Sequence, residues 1–124
     1  MAITHARLIA LPVVDQDRAK DFYVGVLGFA VLADHTMGRV RWLHVAPPGA
    51  GTGFVLTVLE QGFAPSGTRG ITLESDDLDA DCARLAAAGV EVEGPDEHPW
   101  GREAAFSDPD GNAFVLAEPP TGGA

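Results

Sequence analysis

The apolar positions of this chain follow two patterns, short continuous runs typical of strands and two segments with the spacing of an amphipathic helix. The run at residues 6–14 predicts a strand, with Pro12 near its end or at a sheet edge. A helix is predicted next, bounded by Asp15 as N-cap and by Gly28 as the glycine that follows its last turn. Its apolar face has the expected i, i+3, i+4, i+7 spacing: Ala19, Phe22, Tyr23 and Val26.

The rest of the first half predicts three strands. Residues 29–32 resume an extended apolar run, whereas residues 34–38 are polar and are interpreted as a loop. Two further runs, at residues 40–45 and 54–59, flank a turn at residues 47–53 that is rich in Pro and Gly. The order predicted for this half is therefore one strand, one helix and three strands.

The second half repeats that order. Residues 70–74 predict a strand, and Ser75 or Asp76 is the expected N-cap of a second helix that ends at Gly89. The buried face of that helix is predicted to consist of Leu78, Cys82, Leu85 and Ala86. The remaining elements are a strand at residues 90–92, a loop at residues 93–101 and a hairpin at residues 101–116.

The hairpin shows most clearly that the chain contains an internal repeat. Its turn, residues 108–112, has Pro and Gly where a tight turn favours them. Residues 41–45 align with residues 102–106 at an offset of sixty-one, and Gly53-Phe54-Val55-Leu56 aligns with Ala113-Phe114-Val115-Leu116 at an offset of sixty. A period near sixty residues predicts two duplicated half-domains, since a solenoid needs at least three repeats.

The predicted fold class is therefore α+β, a single domain built from two tandem βαβββ modules. Module one is expected at residues 4–60, a linker at 61–69, module two at 70–118 and a disordered tail at 119–124. Because one helix covers only one face of a four-stranded sheet, the other face must be buried by the partner half or by a ligand. A groove between two such sheets is where we expect function to lie.

Charge and cysteine content narrow the range of functions. The 124 residues carry a net charge of −10, which opposes binding to nucleic acid or to anionic membranes and weakly favours a cationic small molecule. No apolar run is long enough to span a membrane, and the N-terminus lacks the pattern of a secretion signal. A single cysteine, Cys82, leaves no disulfide framework or cysteine-built zinc site, so a cytoplasmic location is expected.

Several motifs, taken in order, resemble the vicinal oxygen chelate superfamily of glyoxalases, bleomycin resistance proteins and extradiol dioxygenases. In the first module they are Val13-Val14-Asp15, Phe22-Tyr23 and Leu27-Gly28-Phe29. In the second they are Asp76-Asp77-Leu78-Asp79-Ala80, Ala88-Gly89-Val90 and Phe106-Ser107-Asp108-Pro109-Asp110-Gly111-Asn112. The resemblance implies paired βαβββ modules, a U-shaped mixed sheet around a cavity, and a homodimer.

The metal site of that superfamily does not carry over to this sequence. Metal-dependent members place a His or Glu on the first strand of each module and a Glu on the last strand. The first-strand positions fall on Leu8 and Gly70, and the last-strand positions fall on Val55, or Thr57 with a two-residue shift, and on Val115. Because none of these side chains is a His, carboxylate or thiolate, we expect no metal and no other cofactor.

Two candidate ligand-binding residues lie on the strand at residues 40–45. Alternation places Arg41, Leu43 and Val45 on one face, which suits the helix, and Trp42 and His44 on the other, toward the groove. The alternative is that Trp42 fills the core and His44 makes a local hydrogen bond. His5 and His35 are interpreted as surface residues.

Four further candidates lie near the start of the hairpin. Trp100 and His98 belong to a loop expected to shape the cavity mouth, where the indole can stack on a planar ligand. Glu103 either pairs with a cationic group or is solvated on the rim. Arg102 either binds a carboxylate or pairs structurally with Asp108 or Asp110; its repeat partner Arg41 is also arginine, which favours a structural role.

The sequence thus favours a metal-independent protein that holds a small organic ligand, cationic or aromatic, in the manner of drug-sequestering antibiotic-resistance proteins. An alternative is a lyase, isomerase or dioxygenase-type enzyme that uses His44, His98 or Glu103, or an atypical metal site. A third is a dimerisation module without a ligand. Cys82 is interpreted as a small packed apolar side chain, not a nucleophile, and residues 49–53 lack the lysine and helix of a phosphate-binding loop.

Overall fold

The computed structural model of the chain describes residues 1–58 and 67–119. The chain divides into two units, Met1–Gly67 and Thr68–Ala124. Leu59, most of the predicted linker and residues 120–124 of the predicted tail lie outside the described residues. In the part that is described, no helix is long and apolar enough to cross a membrane.

The first unit is a four-stranded mixed sheet with one helical segment. Its elements are β1 (Leu8–Val13), α1 (Gln16–Lys20), which continues as a π-helical segment (Asp21–Val26), β2 (Ala30–Met37), β3 (Val40–Ala46) and β4 (Gly53–Val58). The strand order is β1-β4-β3-β2, with β1 parallel to β4 and the other pairs antiparallel.

The second unit has the same topology. Its elements are β5 (Ile71–Glu74), α2 (Leu78–Ala87), β6 (Glu93–His98), β7 (Gly101–Ser107) and β8 (Ala113–Ala117). The strand order is β5-β8-β7-β6, with β5 parallel to β8. Two four-stranded mixed sheets of identical order confirm the predicted α+β class and the tandem βαβββ modules.

The core of the first unit lies on the sheet face that the helical segment covers. Leu43 and Val45, predicted to face the helix, are fully buried. Phe54, the cross-strand neighbour of Val45, packs against Phe29, which in turn contacts Tyr23. In the second unit the equivalent face contributes the stacked rings of Phe106 and Phe114. Each unit therefore buries one face of its sheet under its own helix.

The observed helix caps refine the sequence predictions. Asp15 is the N-cap as predicted, and its carboxylate accepts hydrogen bonds from the backbone N–H groups of Asp17 and Arg18. The N-cap of α2 is Asp77, so the prediction of Ser75 or Asp76 was wrong. Ser75 lies two residues before the cap, where its hydroxyl accepts from the Asp77 N–H and donates to Asp81.

Three positions of the predicted helix faces are buried in α2, namely Leu78, Cys82 and Leu85. Ala86 is exposed, which corrects the prediction that it belongs to the buried face. An alanine carries too little apolar surface to fix the orientation of a helix, so the three larger side chains determine which face is covered.

The π-helical segment compensates for a difference in length between the two helices. From N-cap to terminating glycine, Asp15 to Gly28 is one residue longer than Asp77 to Gly89. The Leu27 N–H donates to the Phe22 carbonyl five residues earlier, the bond that defines a π turn. The wider turn accommodates the extra residue, so both helices reach a glycine with positive φ, 75° at Gly28 and 84° at Gly89.

Two segments predicted to be loops are edge strands. Residues 34–37, predicted to be a loop, extend β2, and β6 replaces the loop predicted at residues 93–101, while residues 90–92 are not a strand. Among the strands of the described residues, β2 and β6 lie at sheet edges, and each pairs with one neighbour. Edge strands carry polar and charged side chains to oppose further pairing, so their sequences resemble loops.

Asp34, which made one of these segments look like a loop, belongs to an ion-pair network. Its carboxylate accepts from the Arg41 guanidinium at 2.9 Å on both oxygens and from Lys20 at 2.9 Å, and Arg41 also donates to Asp17 at 2.6 Å. These hydrogen bonds, Arg41 first and Lys20 second, hold the pKa of Asp34 well below its ordinary value. The network ties β2 and β3 to α1.

We expect this network to give the protein a measurable dependence of stability on pH. Because the Asp34 pKa is lowered in the folded state, its stabilisation is present above the ordinary carboxyl pKa and is lost as acid protonates it. Asp34→Asn should therefore lower the urea midpoint near neutral pH, and the difference from wild type should narrow as pH falls below about 4. Asp76→Asn, at an exposed carboxylate, is the control; an equal effect of both substitutions at every pH would contradict the assignment.

Candidate functional site

Each sheet has a second face that its own helix does not cover, here called the open face. In the first unit, strand pairing aligns Leu8 with Gly53, Ala10 with Val55, and Val55 with His44. The open face of the first sheet therefore comprises Leu8, Ala10, Pro12, Ala30, Ala33, His35, Met37, Val40, Trp42, His44, Ala46, Gly53, Val55 and Thr57. It is mostly apolar, and its polar or aromatic groups are two imidazoles, one indole and the Thr57 hydroxyl.

Trp42 and His44 occupy the face that strand alternation predicted for them. Trp42 remains 40% exposed, and His35 lies directly across from it on β2. His44 is half-buried, and its Nε2 atom is buried without a hydrogen-bond partner. The structure therefore shows no local hydrogen bond through the Nε2 atom of His44.

His35 is a residue of this face that the sequence analysis missed. It was interpreted as a loop residue, yet it belongs to β2 and neighbours Trp42. The signal was present in the alternation of Ala33, His35 and Met37, but the polar residues between them suggested a loop.

The open face of the second sheet is acidic. Pairing across the strands places Glu74 beside Ala117, Ala117 beside Glu103, and Glu103 beside Asp96. The open face of the second sheet also includes small or apolar side chains, namely Thr72, Ala105, Ser107, Ala113 and Val115. Glu103 thus lies on the face that the repeat predicted, with Asp96 directly across from it and Glu74 two strands away, beyond Ala117. The sequence analysis singled out neither of these two carboxylates.

His98 and Trp100 form a stacked pair at the turn between β6 and β7. Their ring centroids are 4.6 Å apart with an interplanar angle of 4°, and the indole is 69% exposed. The His98 Nε2 atom is 3.7 Å from a Glu103 carboxylate oxygen, longer than a hydrogen bond but within ion-pair range. The structure therefore brings three of the six candidates together in the second unit.

Arg102 faces away from this group, toward α2. Its guanidinium makes a two-pronged contact with the Asp79 carboxylate at 2.8 and 3.1 Å, and it lies 3.4 Å from Glu118. Its hydrogen bonds lower the pKa of Asp79 and raise that of Arg102. Asp108 and Asp110, the partners considered for a structural role, are not the ones used.

The Arg102 contact repeats the one made by Arg41 in the first unit. In both, an arginine on the strand before the last reaches an aspartate two residues after the N-cap, Asp17 or Asp79. A shared contact at equivalent positions explains why both halves carry arginine there. In this structure the two terminal nitrogens of the Arg102 guanidinium are engaged by Asp79 and Glu118, not by the open face.

The positions that hold metal in metal-dependent relatives are donor-poor. Leu8, Val55 and Thr57 lie on the open face of the first sheet, and Val115 lies on that of the second. Within residues 1–58 and 67–119, no three His, Cys, Asp or Glu side chains are grouped so as to hold a metal ion. Cys82 is buried in α2, and burial raises the pKa of its thiol, which suits a packed side chain rather than a nucleophile.

The two units differ sharply in charge. The first contains five basic and five acidic residues, and the second contains three basic and thirteen acidic residues. The entire net charge of −10 therefore belongs to the second unit. A surface of this sign attracts cations to the second unit and repels polyanions.

Comparison with known proteins agrees with this architecture. The model of the Glyoxalase/Bleomycin resistance protein/Dioxygenase superfamily matches residues 3–116. The chain is 37% identical over 114 residues to the uncharacterized protein YetH of Bacillus subtilis (strain 168), covering 89% of this chain and 94% of that protein.

Two solved structures are similar over nearly the whole chain. TnmS3, an antibiotic binding protein from Streptomyces sp. CB03234, is 53% identical with a TM-score of 0.89, covering 96% of this chain and 98% of that chain. A Glyoxalase/bleomycin resistance protein/dioxygenase superfamily member from Sphaerobacter thermophilus DSM 20745 is 38% identical with a TM-score of 0.87, covering 96% and 100%.

Proposed function

Because the chain belongs to the Glyoxalase/Bleomycin resistance protein/Dioxygenase superfamily, as its motifs predicted, we propose that it binds and sequesters a small organic molecule without a metal ion. The ligand is aromatic in part and carries cationic character. The protein acts in the cytoplasm as a homodimer, the assembly that the family resemblance implies. Its similarity to TnmS3, an antibiotic binding protein, supports an antibiotic as the ligand.

The observation that carries this proposal is the apolar open face of the first sheet. Leu8 and Val55 stand at positions where metal-dependent relatives place ligands, and their side chains are hydrocarbon. Leu8 is half-buried, whereas Val55 is buried and contributes little accessible surface of its own. Trp42 supplies a partly exposed indole on the same face. Such a surface binds an organic ring through burial of apolar area and through stacking. Neither interaction requires that the protein catalyse a reaction.

The second unit supports the cationic part of the proposal. Glu103 and Asp96 are cross-strand neighbours on its open face, and Glu74 lies in the same row beyond Ala117. His98 and Trp100 present a stacked aromatic surface beside Glu103. Carboxylates attract a cation, and an indole face binds one through its π electrons. A ligand that bears an amine or a similar cation suits this surface better than an anion.

A second candidate function is acid–base catalysis by His98 and Glu103. It is favoured by the distance of 3.7 Å between the His98 Nε2 atom and the Glu103 carboxylate, since an imidazole beside a carboxylate can accept and donate a proton. Binding alone is preferred because the apolar face of the first sheet offers a surface for a ring but no acid or base other than imidazole.

Isothermal titration calorimetry of the purified protein against a panel of aromatic and cationic antibiotics tests the proposal. We expect saturable binding of at least one compound, recovery of the compound unchanged after incubation, and no stoichiometric metal by elemental analysis. Conversion of the bound compound would favour the enzyme, and stoichiometric metal would overturn metal independence. Absence of saturable binding across the panel would contradict the proposed function.

Removing the indole of the first open face should weaken that binding. We expect Trp42→Ala to lower the affinity for the best-bound aromatic compound about tenfold, which corresponds to about 1.4 kcal/mol. Trp42→Phe should retain most of the affinity because it keeps a ring. Val58→Ala, at an exposed position off this face, is the control; an unchanged affinity in Trp42→Ala would place the ligand elsewhere.

A further inference from the structure

His44 is seated on the first open face by a glycine that leaves room for its ring. A Cβ built at Gly53 would lie 2.5 Å from the His44 Nε2 atom and 3.0 Å from its Cδ2 atom. The Nε2–Cδ2 edge of the imidazole therefore rests on Gly53, and Nδ1 lies on the far side of the ring. Only glycine permits this close approach of a ring to the backbone of β4.

The second unit shows that this arrangement is particular to the first. The residue equivalent to His44 is Ala105, and the residue equivalent to Gly53 is Ala113. The second unit thus has two alanines at the positions where the first unit has a histidine and a glycine. The exchange keeps the sheet intact while it places an imidazole on a face that is otherwise mostly apolar.

The environment of Nε2 determines which nitrogen carries the proton. Nε2 is buried with no hydrogen-bond partner. A buried N–H without an acceptor is among the rarest groups in folded proteins, whereas an unpaired acceptor is tolerated more often. In neutral His44 the proton accordingly belongs on Nδ1, and the tautomer follows from the hydrogen-bonding environment. The half-buried ring then directs an N–H donor away from Gly53.

We propose that His44 selects the ligand by presenting its Nδ1–H group on the open face of the first sheet to a hydrogen-bond acceptor, such as a ring carbonyl oxygen. This inference rests on the proposed function, since it specifies which polar group the bound molecule places over that face. A site that offers a donor on an apolar surface disfavours a ligand that brings a second donor there, because both groups would remain unpaired.

The tautomer is measured on the protein without any ligand. Long-range ¹H–¹⁵N correlation spectra of the labelled protein at about pH 8, above the ordinary imidazole pKa, distinguish the protonated from the unprotonated ring nitrogen. We expect His44 to show Nδ1 protonated, with assignment by the loss of its signals in His44→Phe. Nε2 protonation would overturn the inference whatever the protein binds.

Selectivity is measured with three planar tricyclic probes that differ at one position. Fluorenone offers a carbonyl acceptor, carbazole offers an N–H donor, and fluorene offers neither. We expect the wild-type protein to bind fluorenone at least fivefold more tightly than either of the other two, as followed by tryptophan fluorescence quenching. His44→Phe should abolish the preference, and His44→Asn, whose amide nitrogen lies at about the place of Nδ1, should retain it.

The outcomes separate this inference from the proposed function. Equal binding of fluorenone and fluorene by wild type, or an unchanged preference in His44→Phe, would overturn donor selection while leaving ligand binding in place. Failure of all three probes together with the antibiotic panel would overturn both. Circular dichroism and the urea midpoint of each variant show whether the fold is kept, so loss of preference in a folded variant is attributable to the imidazole.

Discussion

Replacing Asn112 with alanine is expected to lower the free energy of unfolding by about 2–5 kcal/mol. Asn112 is completely buried, its side-chain oxygen accepts from the Thr68 N–H at 2.8 Å, and its amide donates to Asp108 at 2.8 Å. Alanine leaves a backbone donor and a carboxylate oxygen without these partners inside the protein. The first bond connects the β7–β8 turn to the start of the second unit, and the second closes the turn itself.

The unfolding measurement for Asn112 has a nearby control. Ser107→Ala changes an exposed side chain of the same hairpin and should shift the urea midpoint little. Asp108→Asn in the Asn112→Ala background should add less than it does alone, since the bond between the two side chains is already lost. A loss of less than about 1 kcal/mol in Asn112→Ala would show that water replaces the missing groups.

Gly53→Ala is the second substitution with a large expected effect. The new Cβ would lie 2.5 Å from the His44 ring and 2.9 Å from the Val45 carbonyl oxygen, so the ring and the backbone must both move. We expect a loss of about 1–3 kcal/mol, typical of an overpacked site. The double variant His44→Ala, Gly53→Ala should recover part of that loss, because it removes the ring but not the carbonyl.

The same experiment includes a matched glycine. Gly51, two residues earlier, has nothing within 4 Å of the position that a Cβ would take. Gly51→Ala should leave the free energy of unfolding within about 0.5 kcal/mol of wild type. If Gly53→Ala were equally neutral, or if His44→Ala failed to relieve it, the close packing of the imidazole on β4 would be refuted.

The fold was predictable because its determinants are local. Asp15, Gly28 and Gly89 mark helix ends by their own chemistry, and the repeat fixes the order of elements without any knowledge of packing. The prediction of a loop at residues 34–37 was wrong because polar residues there are explained by contacts elsewhere in the chain. Asp34, for example, forms ion pairs with Lys20 and Arg41. A pattern along the sequence does not show contacts between strands and helices.

The candidate residues divide along the same lines. Strand alternation was enough to place Trp42, His44 and Glu103 on their faces, since side-chain direction depends only on position within a strand. The partner of Arg102 required knowing that α2 passes in front of β7. The seating of His44 on Gly53 was also beyond the sequence, because it depends on the register between β3 and β4.

Because the second unit carries all of the net charge, added salt should affect binding to the second unit more than binding to the first. At physiological ionic strength, mobile ions screen exposed charges over about 8 Å, so attraction toward the thirteen acids weakens as salt is added. The first unit has no net charge, and the aromatic groups on its open face lie among hydrocarbon side chains, so mobile ions have little to screen there. We therefore expect the affinity of the first unit for a ligand to change little between low and high salt concentration.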